Sequence, residues 1–415
     1  MSHTANEPST DRPPTTADVS PPDAAASQPG QTRIGAWRIP TDSLRAYTMV
    51  FALVVIWLFF HWTTDGIFLS PRNFSNLFKQ TAVTGVLAVG MLMVIVAGQI
   101  DLSVGSVVGL AGCCAAMTQE WGLVPSLATA VVIGTAIGAV QGGLVAYANI
   151  PAFIVTLGGM LAWSGVTLDL SDGATIPVRL PFFRMLGVGL AAPAFGYAVA
   201  VAAIAAIVWL NLNRNRARRR HGLDVPGLGA TASRIVTPSL LVVSFILMMN
   251  WRGDDPSRQV GVPLPVLVLL VVAVIGAFLT QNTTFGRYLY AIGGNPDAAR
   301  LSGISLRKHI LAAFCLLGAL VGVASILHTA RVGSASPDAG RLMELDAIAA
   351  CVIGGTSLMG GRGTVFGALL GALIMASLDN GMSLRGTENS TQFIIKGAVL
   401  VAAVGFDMLG RRKSG

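Results

Sequence analysis

Long apolar stretches alternate with short polar ones along almost the whole chain. Windows of about 20 apolar residues, the length that spans a bilayer as a helix, fall near 44–62, 78–98, 101–118, 124–148, 151–169, 190–212, 235–251, 263–284, 309–330, 345–359, 363–379 and 390–408. The windows 101–118, 345–359 and 363–379 are short or broken by glycine and read as candidate half-spans. The pattern therefore predicts ten to twelve transmembrane helices, an even number, in an all-α polytopic membrane bundle over 44–415. A tail at 1–43 precedes it, and its Pro-, Ser-, Thr- and Ala-rich first 33 residues cannot bury enough surface to fold.

Composition changes that picture little. The 415 residues are 53% hydrophobic and 12% charged, against about 25% charged in soluble chains. The net charge of +8 reads as loop charge that orients the spans, not as a footprint for nucleic acid. With the N-terminus placed in the cytoplasm, eighteen Lys and Arg fall on the inner face and eight on the outer, as the positive-inside rule requires. The basic loop at 213–234 and the closing Arg411, Arg412 and Lys413 then lie inside, so both termini are expected in the cytoplasm. Cys113, Cys114, Cys315 and Cys351 sit in apolar runs without C-x-x-C spacing and read as reduced packing residues. Gly134, Gly138 and Gly142, repeating every fourth residue, and Gly367 with Gly371 line helix faces that let another backbone approach closely.

One polar segment at 286–308 is too wet to span and too patterned to be slack. It reads GRYLYAIGGNPDAARLSGISLRK and is placed on the cytoplasmic side. Gly293 and Gly294 are expected to break the preceding helix. Asn295 stands at an N-cap position, Pro296 at the first helical position and Asp297 in the first turn, facing the helix dipole. Ala298, Ala299, Arg300 and Leu301 favour helix, and Gly303 stops it. About two turns of helix are not stable alone. The segment must dock, either in a groove on a separate protein through Arg300 and a small alanine face or on lipid headgroups, for which it lacks a large apolar face.

Three other constellations carry polarity into the spans. Gln99, Asp101 and Ser103 in GQIDLSVG are candidates for a passage, since ionisable groups at depth are costly; the favoured alternative makes Asp101 a cap for a helix beginning near Leu102. Glu344 and Asp346 open an apolar run that Gly354, Gly355, Thr356, Ser357, Gly360, Gly361 and Gly363 interrupt, and the glycines read as a tight turn. Thr356 and Ser357 are further passage candidates. Lys396, about two turns into the last span, is expected to snorkel or pair with a carboxylate from another helix, or else to face the passage. GGRGTVFG lacks the G-x-x-x-x-G-K-[ST] spacing, which occurs nowhere in the chain. Energy must come from another polypeptide or from an ion gradient, so no enzyme, catalytic residue, metal site or bound cofactor is expected of this chain. His61, His221, His309 and His328 show no ligand spacing.

The stretches GRYLYAIGGNPDAARLSGI, AGQIDLSVGSVVGLAG and ELDAIAACVIGGTSLMGGRGTVFGALLGA, in that composition and with this span spacing, resemble the permease subunits of bacterial ABC importers for monosaccharides, the ribose, xylose and galactoside branch. The resemblance covers about 44–410, with Gln99 standing where the family usually has Gly; the basic insertion at 213–234 and the tail NSTQFIIKGAVLVAAVGFD look most like the D-xylose branch. It implies an ABC importer permease fold in the bacterial inner membrane and a homodimer with the sugar passage at its interface. A periplasmic or lipid-anchored sugar-binding protein would dock outside and ATPase subunits, which use the ATP, inside. Gly294, Asn295, Pro296, Asp297, Ala298, Ala299, Arg300 and Gly303 would form the coupling helix that those ATPases move. The contrasting expectation is an ion-coupled secondary sugar transporter, which would normally show paired carboxylates or broken helices in two repeated halves; no such repeat is visible.

Overall fold

The computed structural model describes residues 31–34, 37–252 and 259–412. Residues 1–30 of the expected tail lie outside the described residues. Its remainder holds a hairpin of β1 (Gln31–Ile34) and β2 (Trp37–Pro40), with Gln31 opposite Pro40, and the start of α1 (Thr41–Thr63).

Helices follow throughout the bundle: α2 (Pro71–Val96), α3 (Val104–Met117), α4 (Leu123–Ala146), α5 (Ala152–Leu170), α6 (Pro181–Val188), α7 (Pro193–Arg220), α8 (Leu228–Asn250), α9 (Leu264–Asn282), α10 (Thr284–Gly294), α11 (Pro296–Leu301), α12 (Leu306–Val332), α13 (Met343–Ile353), α14 (Val365–Leu384) and α15 (Asn389–Arg412). Two short strands, β3 (Ile176–Pro177) and β4 (Ser334–Ala335), pair antiparallel.

Among the described residues, eight helices are long and apolar enough to cross a membrane, and two shorter apolar stretches, Tyr47–Thr63 and Asn389–Gly405, lie in α1 and α15. The two remaining windows are broken crossings. With fourteen and eleven residues, α3 and α13 reach about 21 and 17 Å at 1.5 Å per residue, short of a hydrocarbon core of about 30 Å. Non-helical chain completes each: residues 97–103 before α3 and 336–342 before α13. The window at 363–379 departs from its half-span reading, because α14 is a full helix of 20 residues. Each of the twelve apolar windows thus holds a helix among the described residues, eight of them long and apolar enough to cross.

The core centres on α2, whose residues from Val86 to Val96 are all buried. Such a helix has no polar face to spare, which marks it as the post around which the others pack. A methyl group added at Gly134 would fall on the Gly318 carbonyl, and one at Gly138 on the Phe314 carbonyl. These fourfold-spaced glycines thus seat α4 antiparallel against α12, with Gly318 and Gly322 returning the fit from the other side. Gly367 and Gly371 do the same for α14 against the carbonyls of Gly354 and Ala350. Asn73 and Asn380, both buried, exchange amide hydrogen bonds of 2.7 and 3.1 Å and tie α2 to α14.

Two sets of contacts define the ends of the bundle. At one end, the Gly361 N–H donates to the Val96 carbonyl at 2.9 Å, and Gly98, Gly293, Gly360 and Gly361 pack backbone to backbone. This joins the end of α2, the end of α10 and the α13–α14 loop. At the other end, β3 pairs with β4 just beyond α12, and Gln119 grips the chain around it, donating to the Pro177 carbonyl at 2.9 Å and accepting from Arg179 N–H at 2.7 Å.

Candidate functional site

The polar stub at one end of the bundle is built by local chemistry. Asn295 is extended (φ −156°, ψ 101°), and its Oδ1 accepts from the Ala298 N–H at 3.0 Å, satisfying one free donor of the six-residue α11. At the other end Gly303 takes φ +82°, while its N–H and that of Ile304 donate to the carbonyls of Arg300 and Ala299. That is a Schellman closure, which favours glycine because a Cβ strains the left-handed conformation. The helix is thus capped as its sequence predicts, though shorter than two turns.

Two details differ from the sequence reading. Gly293 and Gly294 do not break the helix, since α10 runs through both and stops at extended Asn295. Gly293 is small for another reason: a Cβ there would fall on the Val96 carbonyl. The alanine face is also not free, because Ala299 is 4% exposed and packs against its own chain. The open surface is formed by Asn295, Pro296, Asp297, Ala298, Arg300 and Leu301. Leu301, 89% exposed, is its apolar member. Sequence reasoning named it only as a helix former, although an apolar residue on a short wet helix was itself a signal.

The first broken crossing carries Gln99, Asp101 and Ser103. Asp101 Oδ1 accepts from Ser103 N–H and from Ser103 Oγ, each at 2.7 Å, and Ser103 Oγ lies 3.0 Å from Gln141 Oε1 on α4. One hydroxyl hydrogen cannot serve both oxygens. Turning the Gln141 amide over places Nε2, otherwise without a partner, to donate to Ser103 Oγ, and amide orientation is set by such networks. Asp101 does not cap α3 itself, which starts at Val104 with Ser103 as N-cap residue. It closes an Asx-type turn two residues on, holding the chain that feeds the helix. The void beside Asp101, Ser103 and Gln141 measures about 10 Å³, at the lower limit for one water. In this conformation the group is a brace, not a sugar pocket. Asp101→Asn, which retains the accepting oxygen, is expected to keep the melting temperature of the detergent-solubilised protein nearly unchanged. Asp101→Leu leaves the Ser103 N–H unsatisfied, a loss of about 1–3 kcal/mol, and the same melt should show it.

The second broken crossing lies beside the first. Glu344 and the carbonyl of Gly340 abut Gly105, so α3 and α13 start next to each other inside the bundle. Glu344 and Asp346 occupy the first turn of α13, where the positive end of the helix dipole offsets their charge. Asp346 also meets Lys396 of α15, Oδ2 to Nζ at 3.0 Å, and Lys396 in turn meets Asp379 of α14 at 2.9 Å. Lys396 therefore pairs, as the favoured reading expected, but with two carboxylates. Asp379 was overlooked because it closes an apolar window and no sequence spacing links it to the lysine.

Thr356 and Ser357 stand elsewhere, in the α13–α14 loop. Gly355, Gly360, Gly361 and Gly363 there have positive φ, the tight turn that their number suggested. The Ser357 N–H donates to the Arg362 carbonyl at 3.0 Å, and Tyr290 of α10 donates to the Gly363 carbonyl at 2.7 Å. The candidates thus form distinct groups: the stub at one end, the loop touching it, the Asp101 brace one step inward, and the Lys396 cluster. Helix α13 connects the last two with the loop.

Comparison with known proteins identifies the family of the chain. Residues 73–404 match the family model described as branched-chain amino acid transport system / permease component. The chain is 43% identical over 376 residues to the xylose transport system permease protein XylH of Escherichia coli K12, covering 90% of this chain and 94% of that one. The corresponding protein of Haemophilus influenzae Rd is 42% identical over 381 residues, 91% of this chain and all of the relative. The ribose import permease protein RbsC of E. coli K12 is 35% identical over 371 residues, 89% of this chain and 94% of that protein. No solved structure matches the chain.

Proposed function

The chain belongs to the permease-component family of branched-chain amino acid transport systems, and from that premise we propose that it is the membrane-spanning subunit of an ATP-driven importer carrying a monosaccharide, D-xylose, into the cytoplasm. The observation that carries this reading is the similarity to xylose permeases over nine-tenths of both chains. The fold supports it with a capped stub whose outer face no element covers among the described residues, beside a loop and two broken crossings that lead inward.

In this reading α11 is gripped by a separate cassette ATPase in the cytoplasm, and a periplasmic or lipid-anchored sugar-binding protein delivers the sugar to the opposite end. Two copies of the chain enclose the passage. Twelve crossings return both termini to one side, the cytoplasmic side of the bacterial inner membrane by the basic loop charge. Closure of the ATPases pushes α11 and α10 as a rigid unit, and the packed helices switch between outward-open and inward-open arrangements.

The test is reconstitution of this chain with its cassette ATPase and sugar-binding protein in vesicles. ATP-dependent accumulation of D-xylose is expected, with none when the ATPase is omitted. Uphill accumulation by this chain alone on an ion gradient would overturn the proposal.

A further inference from the structure

Helices α7 and α8 form a hairpin that is buried at one end only. Its buried residues are Gly196 and Ala200 on α7 and Ile246 and Met249 on α8, and none of residues 201–245 is buried. That seated end is where Leu190 bridges to Pro263 and α9 also begins, so the free end lies on the side of α10 and α11. Side-chain hydrogen bonds at the free end run within the hairpin itself. Asn215 Nδ2 donates to Thr231 Oγ1 at 3.3 Å, and Arg218 Nη1 donates to the Asp224 carbonyl at 3.1 Å.

The free end carries a collar of charge. Arg214, Arg216, Arg218, Arg219 and Arg220 close α7, and Arg234 joins them from α8. Among the described residues no carboxylate pairs with any of them, and all but Arg218 are exposed. At 3.6 residues per turn, the five on α7 point to every side of the helix. A protein partner meets one face of a helix, whereas a layer of headgroups surrounds it. Depth selects the same occupant. From Pro193 to Arg214 the helix rises about 30 Å, the thickness of the hydrocarbon core, so the arginines emerge in the headgroup layer. Trp209, exposed just before them, stands at the boundary where such rings settle. Guanidinium groups bind phosphate through paired hydrogen bonds.

We propose that the arginine collar of the α7–α8 hairpin is a binding site for anionic phospholipids of the cytoplasmic leaflet, whose phosphates clamp the end that the bundle leaves free. The site is independent of what the chain transports.

The test uses the full chain, purified in detergent and mixed with phosphatidylglycerol or phosphatidylcholine. Native mass spectrometry is expected to show phosphatidylglycerol retained at least about tenfold more than phosphatidylcholine. Hydrogen exchange over 215–235 should slow with phosphatidylglycerol alone. Arg214→Gln, Arg216→Gln, Arg219→Gln and Arg220→Gln together should abolish the preference, while Arg→Lys at the same four positions keeps the charge and should keep most of it. Arg218 is left in place because it shapes the turn. A photoreactive phosphatidylglycerol should label 214–234 of the unsubstituted chain, a readout that does not depend on how the glutamine variant folds. Equal retention of the two lipids would overturn the proposal and leave the collar an orienting charge only. Unchanged exchange, labelling elsewhere, or an undiminished preference in the glutamine variant would overturn it as well. Loss of the ATPase or of a second copy from that variant, with the lipid preference intact, would mark the collar as a protein contact instead.

Discussion

The double variant Arg300→Glu, Leu301→Asp is expected to insert and fold normally, yet to lose its ATPase and with it all sugar uptake. Both side chains are exposed on α11, and neither supports the capping bonds that shape it. Burying a leucine completely stabilises an interface by about 1.5–3 kcal/mol, and each 1.4 kcal/mol is about tenfold in affinity. Leu301→Asp alone should therefore weaken docking by roughly ten- to a hundredfold, and reversing the charge at Arg300 places like charge against whatever group it meets. Co-purification with the ATPase checks docking, while a detergent melt matching the wild type checks the fold. An importer with both substitutions that still holds its ATPase and transports at the wild-type rate would rule out α11 as the handle. Ala299 is left alone in this design, because its burial would confuse a docking defect with a packing defect.

Gly293→Val is expected to uncouple the importer without dismantling it. The added side chain would fall on the Val96 carbonyl and against the Gly361 N–H, so the end of α10 must move away from α2 and the α13–α14 loop. Overpacking of this kind costs about 1–3 kcal/mol, which the long crossings can absorb. What is lost is the backbone-to-backbone seat through which, on the proposed mechanism, a push on α11 would reach Gly98, before the Asp101 brace, and Gly360 and Gly361, after α13. Sugar moved per ATP hydrolysed should therefore fall while hydrolysis continues. Equal losses of hydrolysis and uptake would show that Gly293 serves assembly and not transmission.

Much of this was legible in the chain, and the boundary is physical. The caps of α11 act within a few residues, so Asn295, Pro296 and Gly303 could be read in sequence. The fourfold glycine spacing of α4 likewise revealed a close helix contact, though not that α12 supplies it. The facing of Ala299 and Leu301 was not legible, because a six-residue helix holds too little periodicity to phase its buried side. Gly293 was misread for a related reason: glycine that ends a helix and glycine that lets a distant carbonyl approach look alike in sequence. The Asp346–Lys396 pair joins residues 50 positions apart, and no spacing rule connects them. Window length raised doubt about 101–118 and 345–359, the broken crossings, but also about 363–379, where glycine-rich packing against α13 had thinned the apolar signal of a whole helix.

The adjoining starts of α3 and α13 gather Asp101, Glu344 and Asp346, with Asp379 close by through Lys396. Four carboxylates and one ammonium leave this part of the interior with an excess of anionic groups. A phosphorylated or oxidised sugar entering it would bring its own negative charge against them, at a cost of several kcal/mol. On the import reading, this interior therefore suits a neutral solute better than a phosphorylated or acidic one.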